Sequence, residues 1–418
     1  AAGYSSTARA AQGGQWDLHG LDAPNDPDPA LDPKRLPNDF ACIDAFSLDT
    51  CKLSPFQHAQ TLPKEIFSDH AAAFSKVLGE LLEALESGDK RRLSTASRWY
   101  CAFPQLMYRI KSSDPQRNLR VFQIRLGQFL QGDYGPLVNA WQLDTEKALS
   151  KPPPDPKSDT EDARIGRAVR LINVDHRVSR GVNLVNSNGV AHLGPQVKAQ
   201  MCAKHPQTSP ASWEPPPIAE VNMSKLRETL RTADYLVGVG PRGFKAHYLQ
   251  VLVTGRMIDP DAMAAFERFE ALGKAYLSAS MPPWLRRTLG GGCLTPLCKD
   301  KMVDGVEPNA RPVNANDYDV SAWNKASQQI HTPSVRAAVE PQQLGVGVSG
   351  GVEIKAWGLK LSYEKFKATG LRRVLVALDI INAHNAFSRP SSIDALNSFA
   401  DKDPQLRGLP RNWHANVS

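Results

Sequence analysis

At 418 residues with 41% hydrophobic side chains, the chain is long enough for two or three domains with real cores, which excludes a small disulfide-stapled scaffold. Fifty Lys and Arg residues against 43 Asp and Glu give a formal charge of +7, which suits a phosphate-bearing partner but is mild for an obligate nucleic-acid binder. The six cysteines form no framework and no apolar run reaches the roughly 20 residues that span a bilayer, so we expect an intracellular protein without a membrane span.

The first 60 residues are rich in Pro, Gly, Asp and Ser, as in the stretch LDAPNDPDPALDPKRLPND. Such a composition buries too little apolar surface to offset the entropy lost on ordering, so we predict a mostly disordered leader over residues 1–60. The pattern of apolar residues over 61–149 predicts a helical region. Its first long helix is indicated by apolar residues at helical spacing, which end before Gly88: Phe74, Val77, Leu78, Leu81, Leu82 and Leu85.

Two proline-rich stretches divide the middle of the chain, at residues 150–159 and 205–217, and each predicts a semi-rigid linker. Between them, residues 160–204 predict short helices, and residues 218–283 predict a second helical region. Its clearest helix begins with Asp259 as the N-cap and Pro260 in the first turn. One apolar stripe of that helix is expected to face a core: Met263, Phe266, Phe269, Leu272 and Tyr276.

Residues 284–418 have a different texture, in which short apolar runs alternate with Gly, Asp, Asn and Pro. A wholly apolar run from Val374 to Leu378 predicts a buried strand, and it ends on Asp379. The whole sequence therefore predicts an α+β protein with a helix-rich front and a mixed back end. Because the chain begins with Ala1 and closes without an evident core element, we expect it to be a piece of a longer protein.

The segment GVGPRG, residues 238–243, matches the glycine pattern of dinucleotide-binding loops. That pattern needs a strand before it and free backbone N–H groups at a helix start, and Pro241 lacks one of those donors. Only the short run DYLV precedes the segment. We therefore favour a turn that caps the next helix over a nucleotide site.

A zinc site is a second alternative, since Cys202 and His205 are spaced like half of one and Cys293 with Cys298 could complete it. Zinc needs four such ligands that converge, and neither pair has the tight spacing of a zinc ribbon or finger. Small buried thiols and a surface histidine are the favoured interpretation.

Asp379 has two interpretations that the residues alone leave open. A carboxylate at the end of an apolar strand can bind a hard cation such as Mg²⁺ together with carbonyl and phosphate oxygens. An Asp at a strand end can equally cap the helix that follows it, here INAHNAF.

Three segments of the last third of the chain, in this order and at this spacing, resemble the reverse transcriptases of non-LTR-type retroelements. They are LTPLCKDKMVDGVEPNARPVNANDYDVSAWNKA at 294–326, QQLGVGVSGGVEI at 342–354 and VLVALDIINAHNAFSR at 374–389. In that family a basic residue precedes a turn, Arg-Pro-Ile/Val follows, then a glutamine- and glycine-rich stretch, then a motif of the form LDxxNAFN. A weaker likeness, which includes the GPRG segment, reaches back toward residue 70.

The resemblance implies that residues 284–418 form the fingers and the start of the palm of a right-hand polymerase. Asp379 and the backbone carbonyl of Ile380 would then bind Mg²⁺, which activates a primer hydroxyl for phosphoryl transfer. Lys299 and Arg311 would hold the incoming dNTP. Further basic residues would follow the nucleic-acid backbone, namely Arg286, Arg287 and Lys301.

Two residues depart from the family pattern. His384 stands at the sugar-gate position, where the family carries Phe or Tyr, so ribose discrimination is expected to differ. Asp319 stands where the family usually carries a basic residue. The later motifs that supply the remaining metal-binding acids do not appear, so we expect this portion of the enzyme to be inactive alone.

Taken together, these features predict a portion of a retroelement RNA-directed DNA polymerase that uses two Mg²⁺ ions. Its expected partners are an RNA template, a DNA primer and dNTPs, and its expected compartment is the nucleus. The alternative is a non-catalytic nucleic-acid-binding remnant of such an element. A weaker alternative is an unrelated helical scaffold protein.

Overall fold

The computed structural model describes residues 38–150, 161–174, 177–191, 194–204, 221–235, 240–254, 259–278, 280–299, 309–340 and 348–370, with residues 394, 395 and 398. Helices dominate these residues, and one antiparallel sheet of two strands accompanies them. This helix-rich arrangement with a small sheet is loosely compatible with the predicted α+β class, and the right-hand polymerase fold stays a prediction. Within these ranges, no helix is both long and apolar enough to cross a bilayer.

Among the described residues up to 150, five α-helices occur: α1 (Leu48–Lys52), α2 (Phe67–Ser87), α3 (Lys90–Tyr108), α4 (Pro115–Gln131) and α5 (Tyr134–Leu149). Short 3-10 helices at Phe40–Ala45 and Lys64–Ile66 precede α1 and α2. The segment between the proline-rich stretches holds α6 (Glu161–Asn173), α7 (Val178–Val185) and α8 (Pro195–Lys204). The later elements are α9 (Leu226–Arg231), α10 (Ala246–Thr254), α11 (Pro260–Leu277), α12 (Pro283–Gly290), β1 (Cys293–Cys298), β2 (Ala310–Ala315), α13 (Tyr318–Val339) and α14 (Gly351–Thr369).

Helices α2 and α11 were both predicted and are confirmed, and their caps explain where they end and begin. Gly88 follows α2 in a left-handed conformation with φ of 69°, which a glycine adopts without strain. Asp259 caps α11, because its side chain accepts the N–H groups of Asp261 and Ala262. The predicted stripe of α11 is buried except for Met263 in the first turn, which is 50% exposed.

The main core lies where α2 packs against α3 and α11, and α13 packs against α9, α10 and α11. Trp323 of α13 is fully buried there, with its ring centroid 4.9 Å from that of Phe269. Its Nε1 donates to the Phe269 carbonyl at 3.2 Å. Gly273 permits this contact, because a Cβ at that position would lie 2.5 Å from the Trp323 ring. The close approach of α11 and α13 therefore depends on one missing side chain.

Residues 38–60 form part of the main core, so the predicted disorder of residues 1–60 is wrong for this segment. Its backbone is tied to distant segments, since Ser54 N donates to the Pro241 carbonyl at 2.9 Å and Ala59 N to the Tyr108 carbonyl at 3.1 Å. Its apolar side chains are few but well placed against α3. Those that are at most 3% exposed are Cys42, Ile43, Leu48 and Cys51.

Several predicted features lie outside the described residues. They include both proline-rich linkers, apart from Ser150, and the apolar strand from Val374 to Leu378. Of residues 284–418, the structure describes mainly α12, the two strands, α13 and α14. These elements set the geometry of the candidate site.

Candidate functional site

The antiparallel pair β1 and β2 carries two of the predicted site residues. Its register places Leu297 opposite Arg311, and the N–H of Lys299 donates to the Asn309 carbonyl at 2.8 Å, which continues the pairing past the strand end. Paired residues share a face, and alternate residues of a strand return to that face. Lys299 and Arg311 therefore lie on the same face of the hairpin, and both side chains are exposed.

The opposite face of the hairpin is buried against α8. The chain ahead of α8 adds two backbone bonds, from Cys298 N to the Gly189 carbonyl at 3.0 Å and from Ala191 N to the Pro296 carbonyl at 2.8 Å. These contacts fix the hairpin to the segment between the proline-rich stretches. They enclose a small second core of five residues: Ala191, Val197, Met201, Cys298 and Ala310.

Lys204, at the end of α8, reaches the open end of the hairpin. Its Nζ donates to Oδ1 of Asn309 at 3.0 Å and also bonds the carbonyl of Ala310. Burial and, second, the charge of Lys299 lower the pKa of Lys204. A third cation therefore stands beside the two that the sequence had singled out.

Helix α13 is anchored to the main core by a buried ion pair. Arg242 and Asp319 are each fully buried, and the guanidinium donates to both carboxylate oxygens, at 2.7 and 2.8 Å. The Tyr100 hydroxyl donates to the same carboxylate at 2.7 Å. A bidentate ion pair of this kind fixes the relative orientation of the two side chains and also balances their charges. Asp319, which departs from the family pattern, thus has a structural role.

The carboxylate of Asp317 fills the turn made by the GPRG segment. It accepts the backbone N–H groups of Arg242, Gly243 and Phe244, at 3.0, 3.0 and 2.9 Å. Gly243 has φ of 90°, a conformation that other residues rarely adopt. Because these donors serve a carboxylate of the same chain, they cannot hold a pyrophosphate, and the dinucleotide alternative is excluded. The structure has a turn at this segment, ahead of α10, and the predicted capping of that helix stays a prediction.

Burial controls the titration of this cluster. It raises the pKa of Asp317 to about 6, with repulsion from Asp319 adding to it, although the Arg242 charge and the backbone bonds act in the opposite direction. Burial also opposes the charge of Arg242, but the two carboxylates outweigh it and hold the Arg242 pKa well above its usual range.

Arg286 and Arg287 of α12 were predicted to follow a nucleic-acid backbone. Arg286 is only 8% exposed, so its prediction as a surface contact is wrong; its face of α12 turns inward together with Leu285 and Leu289. Burial lowers its pKa, and its Nε and Nη1 have no hydrogen-bond partner among the described residues. Arg287, on the next position of the helix, is half-buried.

The structure does not describe the remaining predicted site residues. Asp379, Ile380, His384 and Lys301 all lie outside the described residues. No group of three or more His, Cys, Asp or Glu side chains that could hold a metal ion occurs within the described ranges. For the zinc alternative, His205 is likewise outside them, Cys202 is exposed, and the thiol of Cys298 packs in the second core.

With the geometry in hand, we compared the chain with known proteins. No protein-family model, curated protein or solved structure matches it. The functional assignment therefore depends on the residues and their arrangement.

Sequence reasoning missed Lys204 and the buried cluster of Arg242, Asp317 and Asp319. The signal for the cluster was weak but present: an arginine flanked by glycines in GPRG, and two acids at alternate positions in NDYD. Arg242 and Asp319 are 77 positions apart in the sequence. Lys204 carried no comparable signal, because a lysine at a helix end is common.

Proposed function

We propose that this chain is a portion of a retroelement reverse transcriptase, an RNA-directed DNA polymerase, to which residues 284–418 contribute the fingers and the start of the palm. The order and spacing of the three family-like segments support the proposal. The observation that carries it is the shared, exposed face of Lys299 and Arg311 on the hairpin. The family resemblance implies that these two residues hold the incoming dNTP.

The chemistry of this face suits a triphosphate. The Arg311 guanidinium is a planar fork that can donate two parallel bonds to phosphate oxygens, whereas the Lys299 ammonium acts as a compact point charge. Backbone pairing and the second core hold both residues on a fixed frame. A clamp that is already in position loses less entropy when it binds its ligand.

For the catalytic step, the proposal relies on Asp379 and the backbone carbonyl of Ile380 as Mg²⁺ ligands. Both are oxygen donors, which is the ligand chemistry that Mg²⁺ prefers. Bound Mg²⁺ would lower the pKa of a primer hydroxyl and offset charge on the transferred phosphate. His384, five positions after Asp379, would face the sugar of the dNTP and alter discrimination against ribose.

Primer extension on an RNA template with Mg²⁺ and dNTPs tests the proposal. Two-metal chemistry needs carboxylates beyond Asp379, so the assay uses the chain extended through its downstream reading frame. We expect DNA synthesis that is lost in Asp379→Ala and kept in Asp394→Ala, since Asp394 is an exposed acid in the same segment. Synthesis that survives Asp379→Ala would overturn the proposal.

A second candidate function is nucleic-acid binding without catalysis, as in a remnant of such an element. The excess of basic over acidic residues on helices α6, α7 and α8 favours this candidate. It predicts RNA binding that weakens with salt, together with inactivity of the extended chain in the primer-extension assay.

A further inference from the structure

The hairpin and the helices between the proline-rich stretches form one unit that is rich in basic residues. The unit comprises the described residues of 161–204, 293–299 and 309–315, and it has its own small core. It contains nine basic residues, Arg164, Arg167, Arg170, Arg177, Arg180, Lys198, Lys204, Lys299 and Arg311, and two acidic residues, Glu161 and Asp162. Over the full sequence of the same segments, 161–204 and 293–315, ten basic residues stand against six acidic ones.

Part of this charge is balanced by a residue outside the unit. Arg177 and Arg180 both bond the carboxylate of Asp234, at 2.7 and 2.6 Å. These two arginines attach the unit to the segment ahead of α10. Arg177 and Arg180 therefore have a structural role, and the other cations of the unit are the candidates for binding a ligand.

A chain of hydrogen bonds links three of those cations, and Arg311 shares the exposed hairpin face with one of them, Lys299. We name the four the basic ridge: Arg164, Lys204, Lys299 and Arg311. Arg164 Nη1 donates to the Ser187 carbonyl at 2.8 Å, and the next residue, Asn188, donates through Nδ2 to the Lys299 carbonyl at 2.8 Å. Lys204 Nζ and the Lys299 N–H both bond Asn309.

Two members of the basic ridge, Lys204 and Lys299, lie near enough for their charges to oppose each other. In the part of the chain that the structure describes, no carboxylate forms an ion pair with Lys299 or Arg311, and the charge of Lys299 acts against that of Lys204. Cations that repel each other on a fixed frame bind best to a ligand with several negative charges at regular spacing. A nucleic-acid backbone has this property.

We propose that the basic ridge binds the phosphate backbone of single-stranded RNA, so that residues 161–204 extend the template-contacting surface beyond the hairpin. The choice of RNA rests on the proposed function. Arg164 and Lys204 are the new contacts, and neither lies in the three segments 294–326, 342–354 and 374–389 that carry the main resemblance. They would contact phosphates and so bind without sequence preference.

Fluorescence anisotropy of the full chain with a short labelled single-stranded RNA, over a range of salt concentrations, tests the ridge. Three double variants are compared: Arg164→Gln with Lys204→Gln, the charge-keeping pair Arg164→Lys with Lys204→Arg, and a control. The control is Arg117→Gln with Arg120→Gln, which removes the same charge from exposed positions on α4.

If Arg164 and Lys204 each contact one phosphate, the neutral pair should lower the salt slope by about 1.4 and weaken binding roughly 25-fold at about 0.1 M salt. The charge-keeping pair and the control should bind RNA as the unaltered chain does. The inference is overturned if the control weakens binding as much as the neutral pair, or if the charge-keeping pair weakens it equally.

A competition arm separates RNA from an anionic bilayer. Vesicles that contain phosphatidylserine should fail to displace the labelled RNA, whereas complete displacement that requires Arg164 and Lys204 would assign the ridge to a membrane surface and overturn the inference. Failure of the proposed function is a separate result. It would show as a lack of Asp379-dependent DNA synthesis while ridge-dependent RNA binding persists.

Discussion

Replacing Asp319 with Asn removes one charge from the buried cluster while the side chain keeps its volume. The Asp319 carboxylate accepts two bonds from Arg242 and one from Tyr100, and an amide must turn its NH₂ group toward one of these donors. Removing one partner of a buried ion pair typically costs about 3–5 kcal/mol of unfolding free energy. Because Asp317 Oδ2 remains 3.2 Å from Arg242 Nε, we expect the lower end, about 3 kcal/mol.

Urea unfolding, followed by the fluorescence of the buried tryptophans, measures this loss as a shift in the transition midpoint. The matched control is Glu340→Gln, which breaks the exposed pair between Arg336 Nε and Glu340 Oε1 at 2.6 Å. Side chains exposed by 46% and 34% place that pair among surface ion pairs, which are worth about 0.5 kcal/mol or less. If the two variants unfolded at the same urea concentration, the stabilising role assigned to the buried pair would be refuted.

Burial lowers the pKa of His70 to about 4, so its neutral form stabilises the fold fully above pH 6.5, and this contribution is lost as pH falls toward 4. His70→Gln should therefore reduce the loss of unfolding free energy between pH 7 and pH 5 by up to about 1.4 kcal/mol per pH unit. Urea unfolding at both pH values measures this difference. Gly243→Ala should lower the melting temperature more than Gly88→Ala. Both glycines have positive φ, but only at Gly243 would the added Cβ clash with a side chain, at 2.4 Å from the His58 ring. Equal shifts in melting temperature would contradict this. Arg311→Lys keeps the charge but loses the fork, so in primer extension by the extended chain it should raise the KM for dNTP about tenfold or more, and an unchanged KM would remove Arg311 from the clamp.

The helices that sequence analysis located best are those whose apolar period and caps agree. In α2 the apolar spacing ends at Gly88, and in α11 it begins after Asp259, so local chemistry alone defines both elements. For residues 38–60 the sequence led to a wrong prediction, because their composition resembles that of a disordered chain. Their burial is decided by the surfaces of α3 and the GPRG turn, which belong to distant parts of the sequence.

The site was predictable to a smaller extent. Lys299 and Arg311 were identified from a motif, and their common face follows from a strand register that the sequence did not specify. Arg286 was misplaced because a count of basic residues does not reveal which side of a short helix faces inward. The buried cluster left only a weak signal in the sequence, since a charged residue in the interior depends on partners that only the fold supplies.

The tie between residues 38–60 and the rest of the molecule determines where the protein can be shortened. A truncation at residue 61, the boundary that composition suggests, would remove Ile43 and Leu48 from the main core and cut the bond from Ser54 to Pro241. At the other end, Ala326 of α13 is still a core residue. Expression of a well-behaved fragment should therefore begin before residue 38 and end beyond α13, with the basic unit kept in place between them.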